Sequence, residues 1–548
     1  MNADFSKSTE KIDRYINLIG TILIFGLIIF SLLSSLFLGL SWDENFHFVN
    51  GMLRFEYLKT LGNFKDYNYN NNQYYPGLYD TIQYSIGYII RLIDQNFYKN
   101  YLAEILHLIN FFFSVLSIIG FYLITKVFFN KSIATLASSL TLLNPFFFGH
   151  MGINPKDIVI FFSLIWFCYF FYKYLNNEKN TILNLIMASF FIGFGCGVRL
   201  SFLITVFPVI LCGLIYLFRK FNDELLYLIK RLMFHFLLSF FTIMFLISIS
   251  WPHLILSIME GNFFTFIFSV IKNSIAWNAG PSLGLINGQF YETYSTPSTY
   301  FLDILRFRMP FFISILFFFS YFLIITNNNT FKLYLKNFDK KFIIINFIFF
   351  FPIIISILLH VKIYDNLRLF LFLIPLLSLV ASFSLYHLLK NFKKSSRSKL
   401  YLLLVSFFFS IFIYRFIILT PYQYSYVNFS HFMMKNSINK FEHDYWATSF
   451  KELTIKIKAL YPQSKIDKFK ITVCGGDKEA LLYYLEKNLN VKKIYTLDQA
   501  THIIMTNRAS FDINTKITCF NRYEGKNLTY VSRGKLIFSV LREISKKK

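Results

Sequence analysis

Long apolar runs recur along the first 420 positions, and each ends in a short polar stretch. An apolar run of about 18 residues or more crosses a hydrocarbon core of about 30 Å as a helix. The pattern predicts eleven spans, at 18–40, 104–125, 132–149, 158–176, 181–198, 201–218, 232–250, 310–326, 342–360, 368–389 and 400–419. Two connectors are long, 41–100 and 251–309. The first contains a Tyr- and Asn-rich stretch, "KDYNYNNNQYYPGLYD", and an apolar segment, 81–93, that is too short to span. That segment fits a helix lying in the membrane interface. The second contains a short apolar piece, 263–270, followed by Gly, Pro, Asn and Ser in a pattern that marks irregular backbone.

After Pro421 the pattern changes to short alternating elements. "FKITVCGG" reads as a strand and turn, "DKEALLYYLEKN" as a helix, and "KKIYTLD" and "THIIMTN" as strands. "TYVSRGKLIFSVLREI" reads as a hairpin turning at Arg533 and Gly534. The expected architecture is a polytopic α-helical membrane domain over 1–420 and a small α/β domain over 421–548. "CGGDK" lacks the spacing of a dinucleotide fingerprint.

Composition agrees with a membrane protein: 55% of residues are hydrophobic, 21% are aromatic, 72 are Phe, and the mean hydropathy is +0.48. A net charge of +25 raises the question of nucleic acid, but the distribution of the charge answers it. Lys and Arg collect in every second connector: "KSTEKIDR", "KVFFNK", "KYLNNEK", "RKFNDELLYLIKR", "KLYLKNFDKK" and "KNFKKSSRSK". The short connectors between them carry few cations. By the positive-inside rule this sets the N-terminus in the cytoplasm, and eleven spans then put the C-terminal domain outside the cytoplasmic membrane. The first span is too long for a signal-peptide core and is read as retained. Cys168, Cys196 and Cys212 fall in spans, where they pack as small apolar groups; Cys474 and Cys519 share the outer domain, where a disulfide can form.

Four places carry candidate chemistry. "GLSWDENFHFVNG" opens from the first span directly onto Asp43 and Glu44, with His47 close behind. "SWDE" fits a capping box, with Ser41 as cap and Glu44 reaching back. The same geometry keeps a carboxylate ionised at the bilayer surface, where it can take a proton from an attacking alcohol. Asp43, Glu44 and His47 also form a possible, unspecific metal-ligand set. In "HMGINPKDIVIFF", Asn154, Pro155 and Asp157 read as a helix start, and Lys156 beside that start makes an anion site; His150 is its neighbour. In "GCGVRLSF" the glycines permit close helix packing, while Arg199 must snorkel, pair or bind phosphate. In "HVKIYDNLRLFLFLIP", Asp365 and Arg368 can pair on a helix, yet Lys362 and Arg368 also bracket a short outer connector suited to phosphate recognition.

Together these stretches resemble the membrane glycosyltransferases of GT-C architecture, in particular glycosyltransferase family 39, the dolichyl-phosphate-mannose–protein-mannosyltransferase-like proteins, in a bacterial subgroup. The resemblance rests on "WDENFHF", "GINPKDIVIFF", "GVRLSFL", "IYDNLRLFLFLIP" and "PYQYSYVN…FEHDYWATSFKE", in that order over 42–452. It implies inverting transfer of a sugar from a polyprenyl phosphate to an acceptor hydroxyl of a protein, lipid or glycan at the outer face. Carried over, Asp43 is the general base and Glu44 its supporting acid. Lys156, Arg199, Lys362 and Arg368 hold the donor phosphate, and His47, His150, Asp157, Tyr364 and Asp365 line the substrate. The family typically needs no nucleotide sugar at the site and often no metal, so no cofactor is expected, with a divalent metal as the alternative. The commoner form of the fourth stretch has Gly and His where this chain has Asn366 and Leu369. A transporter of lipid-linked sugars, or a non-catalytic envelope scaffold, are the competing expectations. Transporters usually place substrate charges near the midplane on broken, repeated helices.

Overall fold

The computed structural model describes residues 3–176, 180–221, 225–275, 282–326, 338–392, 395–428, 440–509 and 514–545. Parts of the basic connectors "KYLNNEK", "RKFNDELLYLIKR", "KLYLKNFDKK" and "KNFKKSSRSK" lie outside these residues. Among the described residues, nine helices are long and apolar enough to cross a membrane: Glu10–Phe37, Leu102–Phe128, Asp157–Leu175, Thr181–Val198, Phe202–Lys220, Ile229–Ile249, Phe338–Leu358, Leu373–Asn391 and Ser396–Ile418. Many carry large apolar side chains facing outward, such as Ile22, Phe25, Phe236, Phe241 and Phe245, which only a lipid surrounding makes favourable over so wide an area. The chain is an integral membrane protein.

Two of the eleven expected spans differ from that set. The span expected at 132–149 is broken. Lys131–Leu142 is one helix and Pro145–His150 another, because the Asn144 side chain accepts from the backbone N–H groups of Phe146 and Phe147 (3.0 and 3.3 Å) and Pro145 opens the new turn. The first piece alone is too short to cross, but the two pieces together run along the first helix, from Ser132 at Asp13 (2.8 Å) past Thr135 against Gly20 to Phe148 O at Ser31 (3.4 Å). The span expected at 310–326 is a helix of 15 residues, Phe311–Ile325. A smaller shift occurs at 368, where Arg368–Phe370 forms a single 3-10 turn and the membrane helix begins at Leu373.

Leu373–Asn391 is the most enclosed of the long helices. Its small polar residues allow close approach. Ser384 donates to Leu316 O (2.6 Å), and Ser320 of the neighbouring helix donates to Val380 O (2.6 Å). Such contacts replace the hydrophobic drive that is missing between helices in lipid.

The segment expected in the interface is the helix Leu78–Ile93. Its polar face, with Asp80, Gln83 and Tyr84, is buried, while Ile89, Leu92 and Ile93 are exposed. This inversion of the soluble pattern suits a helix whose outer side meets lipid. In the second long connector, the apolar piece at 263–270 lies within the helix Phe263–Ile275. The stretch expected to be irregular contains a hairpin, Leu283–Ile286 (β1) with Gln289–Glu292 (β2). Asn287 and Gly288 turn it, both at positive φ (51° and 80°), as an Asn-Gly hairpin turn requires.

The C-terminal region forms one four-stranded sheet from Ile471–Cys474 (β3), His502–Thr506 (β4), Gly525–Arg533 (β5) and Leu536–Ile544 (β6), in the order β3-β4-β6-β5. β3 and β4 are parallel and the other pairs antiparallel. The helix Lys478–Leu489 and the β5–β6 hairpin lie where expected. "KKIYTLD" is not a strand: it runs beside β3 with a bond from Tyr495 N–H to Ile471 O (2.9 Å) and ends in a 3-10 turn, Leu497–Gln499. Cys474 and Cys519 are joined in a disulfide.

This region is seated on the membrane helices at one end. Gly39 N–H donates to Thr448 O (2.9 Å), Trp42 N–H to Trp446 O (3.1 Å), and Lys451 pairs with Glu104 (2.8 Å). Position 39 has to be glycine, since a Cβ there would fall 2.6 Å from Thr448 O. The seam places the connector 38–44 directly under the C-terminal region.

Candidate active site

The two adjacent acids have different surroundings. Glu44 is buried, and its Oε2 accepts from Ser41 N–H (2.6 Å) and lies 3.3 Å from His107 Nε2. That is the reach-back half of the expected capping box. The other half is missing, because Ser41 Oγ donates to Ile153 O (3.0 Å) instead of capping. Asp43 occupies the N-cap position of the helix Glu44–Lys59 and makes no cap bond. Its side chain keeps a quarter of its surface exposed and forms an ion pair with Arg368. Burial raises the Asp43 carboxyl, but Arg368, then Lys156 and His47, outweigh it and hold the group well below the usual carboxylate range.

Arg368 is the centre of an alternating chain of charges. It pairs with Asp43, lies 3.4 Å from Asp365 through Nε, and is sandwiched between the rings of Tyr364 (5.0 Å) and Trp446 (5.1 Å). Asp365 Oδ2 also accepts from Trp446 Nε1 (3.3 Å), and its Oδ1 accepts from Arg508 Nη2 (2.9 Å). Asp365 and Asn366 both sit at positive φ, 55° and 62°. Asp and Asn tolerate that region better than other side-chain-bearing residues.

Beside this chain lies a cleft of about 140 Å³. Its lining includes the polar residues Tyr74, Tyr75, Lys156, Arg199, Lys362 and Tyr364. It also includes Ile204, Thr205, Pro352, Ile355 and Phe370, largely from the membrane helices Phe202–Lys220 and Phe338–Leu358. Pro352 cannot donate to Ile348 O, so the helix bonding is interrupted next to the cleft. Lys156 Nζ donates to Tyr75 OH (2.9 Å) and sits over that ring (4.0 Å). Burial, then Arg199, push its ammonium well below the ordinary lysine value. Lys362 lies over the ring of Tyr294 (4.1 Å), and burial pushes it down to about 8. Arg199 pairs with Asp157 at 3.4 Å.

The remaining predicted residues are structural in their contacts. His47 Nδ1 bonds Asp80 (3.0 Å), and Asp80 also accepts from Asn50 (2.6 Å). His150 is bonded at both nitrogens, to Phe146 O (2.7 Å) and Tyr445 OH (3.1 Å). Asn154 Oδ1 accepts from the N–H groups of Lys156 and Asp157 (3.1 and 2.8 Å), the bonds of the expected cap, although the regular helix begins only at Asp157; Asp157 accepts from the Asn154 side-chain amide (3.1 Å). Because His47 turns to Asp80 and Glu44 to His107, Asp43, Glu44 and His47 do not converge as ligands. Among the described residues no three His, Cys, Asp or Glu side chains form a group able to hold a metal ion.

Sequence reasoning missed Tyr75, Trp446 and Arg508 as parts of this site. Tyr75 stood in the Tyr-rich stretch and Trp446 in "FEHDYWATSFKE", so both had a signal. Arg508 directly follows an ordinary strand and had none.

The fold and site define a polytopic membrane protein whose helix bundle carries acids, cations and a partly apolar cleft at one end. Within that class, residues 85–253 match the family model described as Dolichyl-phosphate-mannose-protein mannosyltransferase. Among solved structures, the chain is similar to ArnT from Cupriavidus metallidurans bound to undecaprenyl phosphate, with 12% identity, 95% of this chain and 97% of that one covered, and a TM-score of 0.50. It is also similar to the archaeal oligosaccharyltransferase AglB from Archaeoglobus fulgidus, in complex with an inhibitory peptide and a dolichol-phosphate, with 12% identity, 90% and 69% covered, and a TM-score of 0.48. Comparison with curated proteins returns no match. The resemblance read from the motifs agrees with this family match over residues 85–253 and with the fold of ArnT.

Proposed function

We propose that this chain transfers a sugar, with inversion, from a polyprenyl-phosphate donor to an acceptor hydroxyl at the outer face of the cytoplasmic membrane. One observation carries the reading: Asp43, the partly exposed member of the acid pair, stands beside a cleft whose lining combines three cations with apolar side chains of the membrane helices. A phosphate attached to a prenyl chain matches that mixed lining. That ArnT is bound to undecaprenyl phosphate supports a donor of this class. The basic connectors and the disulfide between Cys474 and Cys519 support an outer location for the site.

In this mechanism the acceptor oxygen attacks the anomeric carbon on the face opposite the phosphate. The new C–O bond forms as the bond to the phosphate oxygen breaks. Asp43 accepts the hydroxyl proton, and the polyprenyl phosphate leaves with the bonding electron pair. A carboxylate held so strongly ionised is a weak base. It suffices because the attacking oxygen becomes strongly acidic as its bond to carbon forms. Lys156, Arg199 and Lys362 stabilise the charge that develops on the leaving phosphate, and that anion offsets the burial and the Arg199 repulsion that disfavour the Lys156 ammonium. Glu44 supports the base by fixing the turn that carries it rather than by touching substrate.

The test compares envelope glycoconjugates by mass spectrometry in cells carrying the wild-type chain, Asp43→Asn at matched membrane levels, or no chain. Loss of one sugar-sized mass in both the variant and the null supports the reading and names the sugar and acceptor. A variant that matches wild type while the null differs removes Asp43 as base. No difference among the three removes the transferase reading.

A further inference from the structure

We propose that Arg508, supplied by the C-terminal region, is a positioning residue of the transfer site: it fixes Asp365, and through Asp365 it aims Arg368 at Asp43. The inference rests on the transferase reading above and assigns the C-terminal region a task within it.

Arg508 grips the site from two directions. Its Nη2 donates to Asp365 Oδ1 (2.9 Å), across 143 residues of sequence, and its guanidinium lies over the ring of Trp42 (4.7 Å), the residue next to Asp43. Its Nη1 donates to Tyr445 O. The side chains of Arg508, Asp365 and Arg368 are all almost fully buried. A buried carboxylate facing one guanidinium can rotate and share it in several ways. With Arg508 on Oδ1 and Trp446 Nε1 on Oδ2, Asp365 has no such freedom. Arg368 then meets Asp365 through Nε and has Nη1 left for Asp43. The four groups alternate in sign and sum to zero charge, so Arg508, Asp365 and Arg368 are each buried beside a counter-charge.

The backbone around Arg508 is itself held. Its carbonyl accepts from Cys519 N–H (2.9 Å), and the Cys474–Cys519 disulfide ties that strap to the end of β3. A scaffold contact alone requires none of this aim. Many bonds join the two parts, such as Lys451 to Glu104 and Leu40 N–H to Tyr484 OH, but Arg508 reaches the charge chain that ends on the base.

The experiment uses the full-length chain. Sugar-sized product mass is measured in cells at matched membrane levels for wild type, Asp43→Asn, Arg508→Gln and Arg508→Lys. The purified proteins are assayed for binding of undecaprenyl phosphate and for melting temperature. Arg508→Gln is expected to lower product about a hundredfold, the scale of a small misplacement of reacting groups, with undecaprenyl phosphate affinity unchanged because Lys156, Arg199 and Lys362 are untouched. Arg508→Lys keeps a cation against Asp365 and recovers most of the product. Wild-type product from Arg508→Gln, alongside loss in Asp43→Asn, overturns this inference alone. Wild-type product from Asp43→Asn overturns the base assignment and this inference with it. Equal defects in both Arg508 variants, accompanied by lost phosphate binding and lower melting temperature, make the residue structural and overturn the proposal. Should Arg508→Gln not accumulate, Arg508→Lys decides: product near wild type supports the proposal, and product at the Asp43→Asn level overturns it.

Discussion

Arg368→Gln tests the electrostatics of the site most directly. In the wild-type chain, burial pushes the Asp43 carboxyl up, and Arg368 is the largest of the groups that hold it down. At ion-pair contact and an effective dielectric of about 20, one such attraction is about 4 kcal/mol. Converted at about 1.36 kcal/mol per pKa step, its removal raises Asp43 by about three steps. The sign follows from which form works: only the ionised carboxylate accepts a proton, so activity disappears as pH falls through the carboxyl's pKa. In wild type that fall lies below any usable assay range, and transfer is flat on the acid side. In Arg368→Gln an acid limb enters the range of about pH 4 to 6. Arg368→Lys keeps the charge and keeps the flat profile. The assay is transfer by the purified chain in bilayer discs across pH 4.5 to about 8, normalised to folded protein, since removing one partner of a buried pair costs about 3–5 kcal/mol of stability. Undisturbed acid-side behaviour in Arg368→Gln, at whatever rate, refutes the reasoning. Either Arg368 does not set the ionisation of Asp43, or Asp43 does not take the proton. The same linkage predicts a stability effect. The depressed Asp43 contributes stability above about pH 4, and that contribution is lost as pH falls further, toward the folded-state value.

Two further outcomes are expected. Lys362 is held down to about 8 by burial, and an anion in the cleft favours its charged form, so undecaprenyl phosphate binding weakens as pH rises past that value. Lys362→Arg, charged at every working pH, removes this dependence, and titration by fluorescence or calorimetry at pH 7 and about 9.5 checks it. Glu44→Ala leaves the Ser41 N–H without its carboxylate acceptor and removes the partner of His107 Nε2, at a cost of about 1–3 kcal/mol each if they stay buried. Melting temperature falls while undecaprenyl phosphate affinity per folded molecule holds. Unchanged melting with abolished transfer contradicts the structural role given to Glu44.

Membrane helices were legible because a long apolar run has few other folds available to it. What hydropathy does not register is depth within the bundle. Lys131–Leu142 reads as part of a span because its residues are apolar and small, yet it is a short buried helix, and the Asn144–Pro145 break was written in the sequence as a cap and a first-turn proline. "KKIYTLD" has the composition of a strand, but strand formation needs a ladder, and the segment meets β3 without forming one. In the site, the acids and cations were legible by residue type and position, whereas their partners were not. Asp365 was expected to meet substrate or to pair with Arg368; it does pair with Arg368, and it also holds a second guanidinium 143 residues away. That pairing depends on how the C-terminal region seats on the bundle, which no local pattern encodes.

The two departures from the commoner form of the fourth stretch have unequal weight once placed on the backbone. Asn366 stands at φ 62°, a left-handed position that suits Gly and that Asn tolerates, so Asn preserves the turn that presents Asp365 and Arg368. Leu369 is different. It lines the cleft, where a His offers a ring nitrogen to a phosphate oxygen and Leu offers only carbon. In the transferase reading the donor phosphate therefore depends more heavily on Lys156, Arg199 and Lys362, and Leu369 adds apolar surface to the cleft. On that reading the change leaves Asp43 and its charge chain with Arg368, Asp365 and Arg508 in place and alters only how the lipid phosphate is held.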